Sequence, residues 1–348
     1  MRSKLMLGLG AAAVLAAALA GISQTVFAAP ATTATSAATE SGLVIYGNPP
    51  PAQFKPVLDA FAKAYPQIKV SYSDQGDSVS FSKYRAEHAQ HARTADIIIA
   101  SSPVNWGKNK DIALNWTPTD QHSYPGFFKQ YPGVFVFSPD PAVSMYNKVN
   151  LPANAIPHSF HDLVVDLQKY PNLFKGKIAT YNVSNDFGYS AFWGLVHKYG
   201  WYNVDTLGPS SKAQADGTAI ATQVVTGASN YAFFESGLVR DALKGEPGKV
   251  AGWFYMTDFT PLIPRGVAIT KGAASPNNAK TFLNWAFSAG GQQVMCAAGF
   301  TAYRSGVSCA NSLSSVQSQT RNTFLVPFHG SIAKDHAAFV KRWRRDFR

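Results

Sequence analysis

The chain has 348 residues and a formal net charge of +11 at pH 7. That length exceeds what one hydrophobic core usually holds, so two lobes are expected. The basic excess fits anionic ligands, membranes or polyanions, but part of it sits in Arg2, Lys4 and the closing "KRWRRDFR", and the body of the chain shows no basic stripe, which argues against a nucleic-acid partner.

Arg2 and Lys4 precede an apolar run from Leu5 to Ile22, and Val26 and Ala28 then occupy the −3 and −1 positions before Ala29. This is the layout of a secretory signal peptide cleaved after Ala28. A transmembrane anchor is the alternative; the Ala- and Gly-rich run and the adjoining cleavage site weigh against it. No cysteine stands at that site, so a lipid anchor is not expected. No later stretch is long and apolar enough to span a bilayer. Residues 29–41, "APATTATSAATES", are small and polar and are expected to form a disordered leader, with the fold beginning near Gly42.

"LVIYGN" then reads as a short strand with a polar tip, and Phe54, Val57, Leu58, Phe61 and Tyr65 follow at helical spacing. "IKVSY" alternates as a strand, Ser80–Arg93 can be helical, and "ADIIIA" is a continuous apolar run of the kind buried on both faces. This β-α-β-α-β order implies a parallel sheet covered by helices. "GVFVFS" and "AVSMYN" predict two further strands around a turn at "SPDP". Phe160–Tyr170 reads as a helix, "GKIATYN" as a strand, and Gly188–Tyr199 as an aromatic helix. Thr218–Thr226 can be another helix, leading to "NYAFFESG", which is either a strand or a helix start. Strands are expected near Ala251–Met256 and Gly266–Thr270. Ser275 is placed as the cap of a helix opened by Pro276, and a further helix begins near Ala289.

Polar tips recur after the apolar strands: Tyr46, Gly47 and Asn48; "SSP" (Ser101–Pro103); and "YNVSNDFG" (Tyr181–Gly188), with Ser184, Asn185 and Asp186. In open parallel sheets ligands sit outside the carboxyl ends of strands, at helix N-termini, so two facing lobes would place these tips in a cleft. Ser101 and Ser102 suit a phosphate or carboxylate, or are simple helix caps. Asp186 lines a site or caps the helix it opens. Alternation would put Tyr231, Phe233 and Glu235 on one face of a strand, and Trp253 with Tyr255 would offer flat aromatic surface, or fill a core.

Motifs for catalysis are missing from the sequence. "GYSAF" lacks the second glycine of a nucleophile elbow. There is no GxxxxGK[ST], and no GxGxxG after a strand. Glu87, His88 and His91 do not form HExxH, and they read as a solvated helix face, as do His158 and His161. No enzyme activity, cofactor or metal set is expected. The only two cysteines, Cys296 and Cys309, suggest one disulfide in an exported chain, with two buried thiols as the alternative.

The stretch from Pro261 to Val307 carries "AKTFLNWAFS" and, from Gly291 to Arg304, "GQQVMCAAGFTAYR". With "LVIYG", "FAKAYP", "ADIIIASS" and "NLFKGKIA" in the same order, the chain resembles the substrate-binding proteins of ABC importers, in the branch that binds ferric iron, thiamine, phosphonates and sugar phosphates. The resemblance covers nearly all of residues 42–308. It implies a type II periplasmic-binding-protein fold: two Rossmann-like α/β lobes joined by two crossing strands, near 136–146 and 250–262. Lobe one would be 42–137 plus 258–310, lobe two 138–257, and 311–348 an extension with a basic tail. The tail is either solvated or a peripheral membrane contact.

The resemblance also implies a monomeric periplasmic receptor that delivers a small solute to a permease. It places ligand contacts at Tyr46–Asn48, Ser101–Ser102, Ser184–Asp186, Tyr231 and the stretch near Asp258, to which the reading of the residues adds Glu235, Trp253 and Tyr255. Iron binders of this branch hold ferric ion with two adjacent tyrosines. Here Ala232 follows Tyr231, so iron would need Glu235 and Asp258 as well. A small organic anion held by Ser101 and Ser102 fits better. A thiamine-like cation stays open, with Trp253 and Tyr255 stacking on it and Asp186 neutralising it.

Overall fold

The computed structural model describes Glu40 and residues 42–320 and 322–347. The expected signal peptide and all of the expected leader except Glu40 lie outside the described residues. No helix among the described residues is long and apolar enough to cross a membrane.

Strand β1 (Leu43–Gly47) lies between β2 (Val70–Asp74) and β3 (Ile97–Ala100), parallel to both. Parallel neighbours need a crossover, supplied here by α1 (Pro51–Ala64) and α2 (Asp77–Ala89). Phe54, Val57 and Phe61 of α1 are buried on the sheet, as their spacing predicts. All four residues of β3 are buried, because the sheet is covered on both faces there. Helix α3 (Pro103–Asn109) follows, and a short strand β4 (Lys129–Tyr131) leads into β5 (Val134–Asn147).

β5 is one strand of 14 residues and not two around a turn. It pairs antiparallel with β10 (Thr260–Ile269) through Val134–Pro141, then with β8 (Tyr231–Ser236) and β9 (Ala251–Phe254) through Ala142–Asn147. Pro139 and Pro141 lack an N–H, yet they fall where the strand changes partners, since pairing with β8 starts only at Ala142. Pro264 of β10 faces Pro139. The proline-rich stretch is therefore the passage between two halves of one sheet, in the order β2-β1-β3-β10-β5-β8-β6-β7.

The second half holds α4 (Phe160–Lys169), β6 (Ile178–Tyr181), α5 (Asp186–Asp205), β7 (Ser211–Gln214) and α6 (Gly217–Val225). Gly200, at φ 73°, kinks α5 near the expected end of that helix. After β10 the chain returns to the first half with α7 (Pro276–Ala286) and α8 (Ala289–Ala297), whose Cys296 is disulfide-bonded to Cys309.

Ser275 makes no cap hydrogen bond. The Glu40 carboxylate accepts from the backbone N–H groups of Asn277 and Asn278 instead, at 3.1 and 2.8 Å.

The closing segment adds α9 (Leu313–Gln319), β11 (Thr323–Leu325) parallel to β10, and α10 (His336–Asp346). α10 is amphipathic. Its Phe339 and Trp343, with Phe347 just beyond, are buried against the second half, where Phe192 meets both Trp343 and Phe347. The tail is thus a packed helix whose apolar side is used internally. Arg342 bonds Asp205 at 3.2 Å and stacks over Trp201.

Candidate functional site

A cavity of about 720 Å³ opens between the two halves of the sheet, beside the passage strands. Its first wall is the strand tips of the first half: Asn48 and Pro50 after β1, Asp74 at the end of β2, and Asp77 at the start of α2. Its floor is Asp140 of β5, Arg265 of β10 and Glu235 of β8. Its second wall is Tyr181 of β6, Asn185 and Phe187 around the start of α5, and the face of α6 from Asp216 to Thr226.

Arg265 and Asp140 form a buried ion pair at 3.0 Å, both almost fully inaccessible. Asp140 also accepts from Ser236 Oγ at 2.6 Å and from the Gly237 N–H at 3.1 Å. Arg265 Nε donates to Asn48 Oδ1 at 3.1 Å. The pair therefore ties both passage strands to β8 and to the tip of β1. Arg265 Nη1 is buried with no partner.

Glu235 Oε1 accepts from the Tyr181 hydroxyl at 3.2 Å, and Oε2 is buried with no partner. Burial pushes its pKa up to about 8, against the opposing pull of the Ser236 backbone and the Tyr181 hydroxyl. Asp77 is also raised, first by burial and then by the nearby carboxylate of Asp186, although the Ser101 N–H and Arg265 act the other way. Burial raises Asp186 and Asp74 too.

Three of the residues expected at the site line this cavity: Asn48, Asn185 and Glu235. Asn48 Nδ2 donates to Ser101 Oγ at 3.0 Å. Gly47 ends β1, and its carbonyl accepts from the Gln75 N–H. Ser101 and Ser102 are fully buried behind the wall. The Ser101 N–H donates to Asp77 Oδ1 at 2.6 Å, and Ser102 Oγ caps α3 through the Asn105 N–H at 3.1 Å. A carboxylate of the protein thus occupies the place foreseen for an anionic ligand.

Asn185 is the cap of α5, accepting from Phe187 and Gly188. Asp186 is thereby free to reach across, and its Oδ2 accepts from Ser78 Oγ and Asn105 Nδ2, each at 3.1 Å, on the other side of the cleft. Ser184 lies in the exposed turn before it.

The other expected contacts stand elsewhere. Tyr46 points to Glu87, to which its hydroxyl donates at 2.9 Å. Tyr231 is fully buried and donates to the Pro157 carbonyl at 3.0 Å. Alternation does not carry through β8, because Phe234 takes φ 65°, and both Phe233 and Phe234 pack on Phe192. Trp253 and Tyr255 flank Arg240, which also bonds the Gly299 carbonyl. Asp258 caps α4, accepting from the backbone N–H groups of Phe160 and His161.

Sequence reasoning missed Asp74, Asp77, Asp140, Asp216 and Arg265, while Tyr181 and Phe187 fall within the expected tip Tyr181–Gly188. A signal existed for two of them: Asp140 and Arg265 are lone charges inside otherwise apolar strands. No group of three or more His, Cys, Asp or Glu among the described residues is arranged to hold a metal ion.

The model of the bacterial extracellular solute-binding protein family matches residues 47–293. No curated protein matches the chain. Among solved structures, the substrate-binding protein of an ABC transporter from Agrobacterium tumefaciens is 21% identical, with a TM-score of 0.79 over 88% of this chain and 95% of that one. The apo ferric ion-binding protein A of Pasteurella haemolytica is 18% identical, with a TM-score of 0.67 over 88% and 98%. The periplasmic binding protein AfuA of Actinobacillus pleuropneumoniae, with fructose-6-phosphate bound, is 18% identical, with a TM-score of 0.68 over 88% and 98%. These likenesses give the fold, in which two α/β lobes are joined by crossing strands. The chain belongs to the bacterial extracellular solute-binding protein family and has the type II periplasmic-binding-protein fold.

Proposed function

We propose that the chain is the periplasmic receptor of an ABC importer, exported with cleavage after Ala28, which traps a small organic solute between its lobes and hands it to a permease. The lobes divide at the passage strands, 42–137 with 258–310 on one side and 138–257 on the other. The observation that carries this reading is the interlobe cavity of about 720 Å³, a size suited to a small organic molecule, with buried charged groups on its floor. The passage strands serve as the hinge about which the lobes close on the solute.

Two narrower readings find less support. A ferric ion needs several oxygen anions, and Tyr231 donates its proton to a backbone carbonyl inside the core of lobe two. An anion at Ser101 and Ser102 would meet the carboxylate of Asp77.

A thermal-shift screen of solutes against the mature protein and its Ala221→Trp variant tests the proposal, since Ala221 lines the cavity. A solute that raises Tm in the parent and not in the filled variant is the expected result. Binding that survives the filled cavity would place the site elsewhere and overturn it.

A further inference from the structure

We propose that the interlobe cavity is built for a solute carrying a positively charged nitrogen and, a few atoms away along an aliphatic body, an oxygen acceptor. This rests on the receptor reading and names its substrate class.

Five carboxylate residues line the cavity (Asp74, Asp77, Asp140, Asp216 and Glu235), and Arg265 is the one Lys or Arg among its lining residues. Asp140 already neutralises Arg265. A phosphate or dicarboxylate would find no unneutralised cation there, since Arg265 is paired with Asp140, whereas a cation favours the ionised form of Glu235 and becomes its counter-ion.

Two unpartnered groups specify the polar ends. Glu235 is 2% exposed, and its Oε2 accepts nothing. Its other oxygen is held by Tyr181, and Gly217 makes room for it: a Cβ there would stand 2.3 Å from Glu235 Oε1 and 2.7 Å from the Tyr181 hydroxyl. Arg265 is 3% exposed, with Nε given to Asn48 and Nη2 to Asp140, so Nη1 is the nitrogen left over. Buried polar groups of this kind are costly unless a partner arrives. Neither atom is open to the cavity in this structure; once uncovered, Glu235 Oε2 takes an N–H donor of a cation and Arg265 Nη1 a carbonyl or carboxylate oxygen. The lining is also apolar at Val225, Val239 and Leu243, which suits methylene groups.

The test uses three linear five-carbon probes that differ in charge: 5-aminopentanoate, 1,5-diaminopentane and glutarate, with inorganic phosphate beside them. Titration calorimetry and Tm are read on the mature protein and on Glu235→Gln, which keeps the size of the side chain. Any solute retained through purification is released by denaturation and identified by mass. The expected result is binding of 5-aminopentanoate, or a retained solute with a cationic nitrogen, weakened at least tenfold in Glu235→Gln while the Tm of the empty variant is unchanged or higher. Binding of glutarate or phosphate in preference to the amines, or equal amine affinity in parent and variant, would overturn the substrate class and leave the receptor reading standing. A whole low-molecular-weight cell extract that neither shifts Tm nor leaves a retained solute would overturn both.

Discussion

Glu235 carries a carboxyl group with one oxygen bonded to Tyr181 and the other bonded to nothing. Its neighbours are Tyr181 from β6, Asp140 from β5 and Asp216, the cap before α6, and burial lifts its pKa from an ordinary 4.5 to about 8. A carboxyl whose folded value is raised holds its proton more tightly in the folded chain. Its contribution to stability is therefore full below pH 4.5 and is lost as pH climbs toward 8. The ligand-free protein should lose Tm over that interval, and Glu235→Gln should lose less, which thermal melts across the range will measure. A cationic solute favours the ionised form, so its affinity should rise over the same interval. Equal melting slopes in parent and variant would contradict this account of Glu235. Asp140 is the complementary case. Asp140→Asn leaves the Arg265 charge buried without its counter-ion and should cost about 3–5 kcal/mol in urea unfolding.

At the scale of elements, local patterns and long-range pairing divide the credit. The order β1, α1, β2, α2, β3 was legible because each segment's periodicity matches the surface it covers, as with Phe54, Val57 and Phe61. "SPDP" read as a turn from its residues, and only the resemblance implied a crossing strand there, near 136–146. Two prolines signal a turn unless β10 supplies a partner from 125 residues away, as it does where Arg265 meets Asp140. The same gap in sequence hid Asp140 and Arg265 on the floor of the site, while Asn48 and Asn185 could be found because strand ends face clefts, and Glu235 through the expected alternation along its strand. Tyr231 was placed by alternation, which the positive φ of Phe234 breaks. Ser275 looked like a cap because its neighbour is proline, but Glu40 reaches the helix start first. The basic tail hid an aromatic stripe: Trp343 is 1% exposed and stacks on Phe347. Trp343→Ala should destabilise the protein by about 3–5 kcal/mol, read as a lower urea midpoint. A variant as stable as the parent would return the tail to the role of a solvated extension.

For the whole molecule, two connections beyond the passage strands bear on closure. Asp186 of lobe two bonds Ser78 and Asn105 of lobe one, across the cleft. On its way to α10, the closing segment places Phe328 beside Trp106 of lobe one and Ile332 in the core of lobe two, where the Ile332 carbonyl accepts from Tyr189. In the closing motion proposed above, the proline-bearing strands are the hinge, and these rim and closing-segment contacts would limit how far the lobes part. Within that frame the cavity floor presents one acceptor and one donor that the protein leaves unpaired. The most direct test is a crystal structure of the mature protein with its retained or best-binding solute. The account predicts the solute between the lobes, its charged nitrogen within about 3 Å of Glu235 Oε2 and an oxygen at a similar distance from Arg265 Nη1. A solute seated outside the cavity, or one that presents an anionic group to Glu235, would contradict it.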